Sequence, residues 1–108
     1  MSNVINLDDN NFAEEIYTTK KPVLVMFSAN WCDNCKEFQE NTFQKLLDNY
    51  SGKVKFAKVD VDESYELASK FQISKLPAFI IYKETLPVNY IIGNLPIYKF
   101  KEALEDLI

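Results

Sequence analysis

The sequence predicts an α/β fold, a central mixed sheet of five strands flanked by four helices, with a single layer on each face. Three observations carry this. Strand-type segments at residues 23–27, 54–61 and 78–82, the first and last of them continuously apolar, are separated by stretches with helical spacing. The segments follow the order β-α-β-α-β-α-β-β-α, which suits helices on both faces of one sheet. The 108 residues, 47% of them hydrophobic, are enough for one compact domain over residues 1–108, with no repeat or linker to divide it.

Taken in order, residues 3–7 form a short strand candidate. Asp8 and Asp9 offer N-caps to a helix carrying Phe12 and Ile16 on one face, with Glu14 and Glu15 in its early turns. Residues 23–27 are continuously apolar, as in a strand buried on both faces of a parallel sheet. A helix then begins at the cysteines and runs to about Tyr50, where Ser51 and Gly52 close it. Residues 54–61 read as another central strand, 64–71 as a short helix, and 73–77 as a loop leading into the strand 78–82. Pro87 is expected to break the chain before a last strand at 88–92, and Gly93-Asn94 to turn it. From Pro96 a terminal helix places Ile97, Phe100, Leu104 and Leu107 or Ile108 on one stripe. Right-handed crossovers make the first three strands parallel. The short connection at 83–87 makes the closing pair an antiparallel hairpin.

The stretch around which this order is arranged is Ser28-Ala29-Asn30-Trp31-Cys32-Asp33-Asn34-Cys35-Lys36. Thiols at i and i+3 on a first helical turn lie on one side of it and are able to close a small disulfide ring. A helix start supplies unpaired N–H groups and the positive end of a dipole, both of which favour thiolate over thiol. The first cysteine is therefore the expected reactive one. A Cys-x-x-Cys pair beside strand–helix patterning is a redox signature. Two other readings stand beside it. A structural disulfide closing so short a loop contributes only about 2 kcal/mol by chain entropy. A four-ligand zinc site would have to recruit two carboxylates, because the chain has two cysteines and no histidine.

All twelve basic residues are lysine. The lack of histidine and arginine excludes histidine-dependent catalysis and bidentate arginine recognition of phosphate or carboxylate. The net charge of −4, mixed in sign along the chain, leaves no basic footprint for nucleic acid. No apolar run approaches membrane-spanning length. The N-terminal residues lack the basic and apolar regions of a secretory signal, so a cytoplasmic protein is expected.

Over essentially its whole length the chain resembles the thioredoxin family. The resemblance rests on Phe27 through Lys36 with Trp31-Cys32-Asp33-Asn34-Cys35, on Phe56-Ala57-Lys58-Val59-Asp60-Val61-Asp62, on Leu76-Pro77, on Gly93 and on the terminal helix. It implies the thioredoxin fold and a protein-disulfide reductase in which Cys32 attacks a substrate disulfide and Cys35 resolves the mixed disulfide. It further implies a cis Leu76–Pro77 bond facing the cysteines, and a substrate-binding surface of Trp31, Leu76, Pro77 and Gly93. No bound cofactor is expected; reducing equivalents would come from NADPH through a reductase of the thioredoxin-reductase type. The expected partners are that reductase and disulfide-containing proteins, and the expected state is a monomer. On bare residue chemistry, Trp31 is either a surface aromatic or a protein contact, Pro77 either cis or trans, and Gly93 either a plain turn or a point of close backbone approach.

Three departures from the family pattern bear on mechanism. Asp33-Asn34 replaces the usual Gly-Pro between the cysteines; the carboxylate suits the helix dipole but opposes a thiolate on Cys32, with Lys75 placed to offset it. Met26 stands where the family commonly has an aspartate, which would leave Lys58, on the face of Val54 and Phe56, half-buried without its counter-ion. Lys58 is then either a proton relay for Cys35 or a strand-end lysine reaching to water. The helix after the motif lacks the family's internal proline, so a straighter helix is expected, weakest at Glu40-Asn41-Thr42. Two alternative functions remain from the sequence: a more oxidising exported oxidase or isomerase, and a thioredoxin-fold module that binds partners regardless of thiol state.

Overall fold

The computed structural model describes residues 4–108. Asn3, expected in the first strand, lies outside them. The strands are β1 (Val4–Leu7), β2 (Val23–Ser28), β3 (Lys55–Asp60), β4 (Ala78–Lys83) and β5 (Leu86–Ile92). The helices are α1 (Phe12–Tyr17), α2 (Asp33–Phe38), α3 (Gln44–Tyr50), α4 (Tyr65–Lys70) and α5 (Ile97–Glu105). A π-helical stretch, Gln39–Phe43, joins α2 to α3, so residues 33–50 form one helical rod and the described residues hold four helices.

The sheet runs β1-β3-β2-β4-β5, with β1, β3 and β2 parallel and the β2–β4 and β4–β5 pairs antiparallel. This is the mixed sheet expected from the segment order. Every residue of β2 is buried, as its unbroken apolar run requires of a central strand. Side chains alternate between two cores. Leu24, Met26, Phe56, Phe79 and Ile81 pack with Cys35, Phe38, Leu46, Phe100 and Leu104 beneath the 33–50 rod and α5. Val23, Val25, Phe27, Ala57, Val59 and Ile80 pack with Phe12, Ile16 and Leu67 beneath α1 and α4.

The π stretch has a packing reason. Phe38 and Phe43 are both buried, with ring centroids 6.0 Å apart. At about 100° per residue a regular α-helix would turn a pair five apart roughly 140° away from each other. An i→i+5 turn brings them to the same side. The section expected to be weakest, Glu40-Asn41-Thr42, lies within it, so the rod is not the uniform α-helix that loss of the proline alone suggests.

Two local expectations are corrected. The N-cap of α1 is Asn11; Asp8 lies a turn earlier, where its Oδ1 accepts the N–H groups of Asn10 and Asn11 at 2.8 and 2.9 Å. Pro87 does not end the chain's extended course but lies inside β5, opposite Tyr82. An edge strand tolerates it because a missing N–H on the outer side breaks no ladder bond. The hairpin turn is made by Glu84 and Thr85, both at positive φ (48° and 75°), as a two-residue turn matching strand twist demands.

The Tyr50 hydroxyl donates to Glu105 at 2.7 Å, tying α3 to α5. Burial and this carboxylate push the phenol up to about 12. By contrast, the Tyr82 hydroxyl is buried in the α1/α4 core and finds no protein partner among the described residues. Desolvating an unpaired hydroxyl costs about 1–3 kcal/mol. Tyr82→Phe should therefore raise unfolding stability, by about 1 kcal/mol in urea titration; a loss of stability would mean that the hydroxyl is satisfied.

Candidate active site

β2 ends at Ser28, and the chain turns through Ala29, Asn30 and Trp31 before α2 starts. The turn is held by the Cys32 N–H donating to the Ala29 carbonyl at 3.1 Å. Cys32 is the N-cap of α2, with extended backbone (φ −90°, ψ 106°). Its Sγ accepts the Cys35 N–H at 3.1 Å, the place where a serine or aspartate oxygen ordinarily sits. The Cys32 carbonyl begins the helical ladder by accepting from Lys36 N–H at 3.2 Å. The two sulfurs are joined in a disulfide, with Cα atoms 5.3 Å apart. Cys32 keeps 7% of its surface exposed and Cys35 only 1%, so the leading sulfur is the one within reach of another molecule.

A shallow groove of about 360 Å³ opens beside the pair, lined by Trp31, Cys32, Asp33, Asn34, Ser74 and Leu76. Asp33 and Asn34 are solvent-exposed on the first turn. The Leu76–Pro77 bond is cis, as the resemblance implies. The Pro77 carbonyl accepts the N–H of Gly93 at 2.8 Å, which brings the β5 exit next to the loop before β4. Gly93 has φ +103°, while a Cβ there would meet only a Leu95 side-chain carbon at 3.8 Å. Backbone conformation, not crowding, is what asks for glycine at this position.

Trp31 is 66% exposed, yet its indole is fixed: Nε1 donates to Asp62 Oδ2 at 2.9 Å. Asp62 is placed by Asp60, whose Oδ1 accepts the Asp62 N–H at 2.9 Å. Sequence reasoning noted Asp60 and Asp62 as family matches but gave them no task. The contact spans 31 positions, and no local pattern announces it.

Lys58 and Lys75 are not among the residues that line the groove. Lys58 pairs in register with Met26 and helps line a second cavity of about 350 Å³ with Ser28, Asn30, Lys36, Gln39 and Asp60. It is half-buried and, among the described residues, its ammonium makes no hydrogen bond or salt bridge. Burial draws its ammonium below the usual lysine range, partly countered by the Asp60 charge. Lys75 is exposed and does not pair with Asp33; the salt bridge among the described residues is Lys55–Glu15 at 2.7 Å. The expected Lys75–Asp33 pair is thus not formed. Among the described residues no three His, Cys, Asp or Glu side chains gather as a metal site, and no helix is long and apolar enough to cross a membrane.

The thioredoxin family model matches residues 3–106. A thioredoxin of Staphylococcus haemolyticus is 34% identical over 102 residues, covering 94% of this chain and 95% of that protein. Thioredoxin C-2 of Corynebacterium nephridii is 33% identical, covering 95% and 94% respectively. A thioredoxin of Chlorobaculum thiosulfatiphilum is 38% identical over 88 residues, 82% and 81% of the two chains. Among solved structures, a chain from work on thiol resolution in a yeast mitochondrial 1-Cys peroxiredoxin superposes with a TM-score of 0.86 at 28% identity. That likeness covers 96% of this chain and 95% of the other. Sequence, sheet order and the closed Cys32–Cys35 pair thus agree: the chain belongs to the thioredoxin family and is a thiol–disulfide oxidoreductase of the disulfide-reducing kind.

Proposed function

We propose that Cys32 is the attacking thiolate and Cys35 the resolving thiol in a cycle that reduces disulfides of substrate proteins. The observation that carries this assignment is the inequality between the sulfurs: Cys32 is the more exposed and caps a helix, while Cys35 is enclosed. In the reduced protein the Cys32 thiolate attacks a substrate sulfur, forming a mixed disulfide and releasing one substrate thiolate. Cys35, deprotonated, then attacks the Cys32 sulfur. The Cys32–Cys35 bond forms, the second substrate thiolate leaves, and two electrons have passed to the substrate. Tethering Cys35 three residues away makes the second step intramolecular, with a large gain in effective concentration.

Trp31, Leu76, Pro77 and Gly93 form the substrate platform in this reading. It is supported by the groove beside Cys32 and by the bond joining Gly93 to Pro77. The oxidised protein is recharged by a reductase drawing on NADPH, and the protein works in electron transport and redox homeostasis of the cytoplasm. One chain, acting as one domain, holds the complete dithiol cycle.

Cys32→Ser should abolish reduction of insulin disulfides, while Cys35→Ser should accumulate mixed disulfides seen on non-reducing gels. Reduction surviving in Cys32→Ser would favour a binding module.

Asp33 lies one residue past Cys32, with no cation in salt-bridge range among the described residues. At ~6 Å and an effective dielectric of 20–80 the repulsion is about 0.7–2.8 kcal/mol, with exposure favouring the low end. Asp33→Gly should lower the Cys32 thiolate pKa by about 0.5 unit, read from alkylation rate against pH. An unchanged titration rejects the repulsion.

Lys58 is proposed to take the proton from Cys35, through solvent in the cavity it lines, because Met26 offers no carboxylate to do so. Only the neutral amine accepts a proton. The lowered Lys58 pKa therefore enlarges the competent fraction at a given pH, and resolution should quicken as pH rises towards that pKa. Lys58→Met should slow resolution by about 10–100-fold and flatten its pH dependence in stopped-flow measurements; unaltered kinetics discard the relay.

A further inference from the structure

The groove beside the reactive sulfur is almost without charge. Among its lining residues, Trp31, Cys32, Asp33, Asn34, Ser74 and Leu76, only Asp33 carries a formal charge. Its carboxylate is solvent-exposed and forms no salt bridge among the described residues. A second carboxylate borders the groove, since Asp62 Oδ2 accepts the Trp31 indole N–H at 2.9 Å. The chain around Gly93 adds no charge. No charged residue occurs from Leu86 to Tyr98, although charged residues make up 26% of the chain. The Gly93–Pro77 hydrogen bond brings that segment up to the loop before β4. Two lysines are near in sequence, and neither lines the groove. Lys75 follows Ser74 in the loop, while Lys36, one turn along α2, lines the second cavity.

We propose that Asp33 selects among substrate disulfides, favouring those whose cysteines are flanked by basic residues. This rests on Cys32 being the attacking sulfur and adds a substrate class to that reading; the bonds made and broken are those of the Cys32/Cys35 cycle. A substrate sulfur has to reach bonding distance of Cys32 Sγ, in the groove that Asp33 lines. Consecutive Cα atoms are about 3.8 Å apart, so residues beside a substrate cysteine come within side-chain reach of the carboxylate. In an exposed groove an opposite charge at such range raises the rate about threefold, and a like charge lowers it about as much. Charges at a rim act mainly on partner choice and on encounter.

The two effects of Asp33 are separable. Its repulsion of the Cys32 thiolate changes reactivity towards every disulfide by one common factor. Its attraction for a substrate cation changes the ratio of kcat/KM between substrates, which is where discrimination is read.

The test is single-turnover reduction of three disulfide-bridged peptides, alike except for lysine, glutamine or glutamate beside one cysteine. The prereduced full chain, freed of dithiol, is mixed with each peptide, and acid-quenched samples give the second-order rate constant. At an ionic strength of about 10 mM the rates should fall in the order lysine, glutamine, glutamate. Asp33→Asn should shrink the lysine-to-glutamate ratio about tenfold, and Asp33→Lys, the second variant, should lower it further. The peptides' own reactivities cancel when the proteins are compared. In about 1 M salt the effect of Asp33→Asn should drop below about twofold. Glu84→Gln removes a charge at the hairpin turn, beyond the far end of the six-residue strand β4 and about 20 Å from the loop before it. It should leave the ratio unaltered; an effect equal to that of Asp33→Asn would assign the preference to the net charge of −4 and overturn the proposal. A ratio that moves less than about twofold in both Asp33 variants at low salt also overturns it. So does a preference of the unaltered chain for glutamate, which would hand the selection to Lys75. Failure to reduce any of the peptides would instead refute Cys32 as the attacking sulfur, and the selectivity with it.

Discussion

A sulfur atom in the place of a capping oxygen is the contact on which the reactive part of this protein depends. The Cys32 Sγ accepts the Cys35 N–H at the start of α2, so the helix that buries Cys35 also presents Cys32 to the outside. The geometry is fixed from below. β2, buried along its whole length between two helical layers, cannot shift without disturbing both cores, and it delivers the chain to Ser28 at a defined height. A helix of only six residues before the π stretch would be marginal by itself; packing of Phe38 against Phe79 and Phe100 holds its axis.

What was legible in the sequence was what is encoded locally. The apolar run at 23–27, the thiols three apart, and the helical spacing after them each depend on neighbours within a few residues, and together they yielded the sheet, the helices and the position of the disulfide. What was not legible depends on distant partners or small competing energies. Trp31 meets Asp62 only because β2 and β3 are adjacent. The π stretch arises because Phe38 and Phe43 compete for one core against ideal helix geometry. Lys75 and Asp33 form no pair, since closeness in the sequence to Pro77 does not by itself fix a contact across the loop. Pro87 reads as a breaker until its strand is known to be an edge.

The exchange of a carboxylate for Met26 changes the character of the interior behind the disulfide. Met26 is fully buried and adds only contact surface, while its register neighbour Lys58 retains an amine in a half-enclosed, polar cavity. The register neighbour of Met26 is thus a base with a depressed pKa, where the family pattern has an acid and a base together. Asp60, on the same strand face two residues on, both moderates the Lys58 charge and organises the Asp62 turn, so the cavity and the tryptophan share one anchor.

That anchoring of Trp31 has an optical consequence. The chain contains one tryptophan, and its indole is pinned next to the cysteine pair while most of its surface meets water. Disulfides quench nearby indole fluorescence more strongly than thiols do, so emission from this single chromophore reports the oxidation state of the sulfurs with no background from a second tryptophan. The molecule carries a built-in gauge of its own electron load, readable without a dye or a tag.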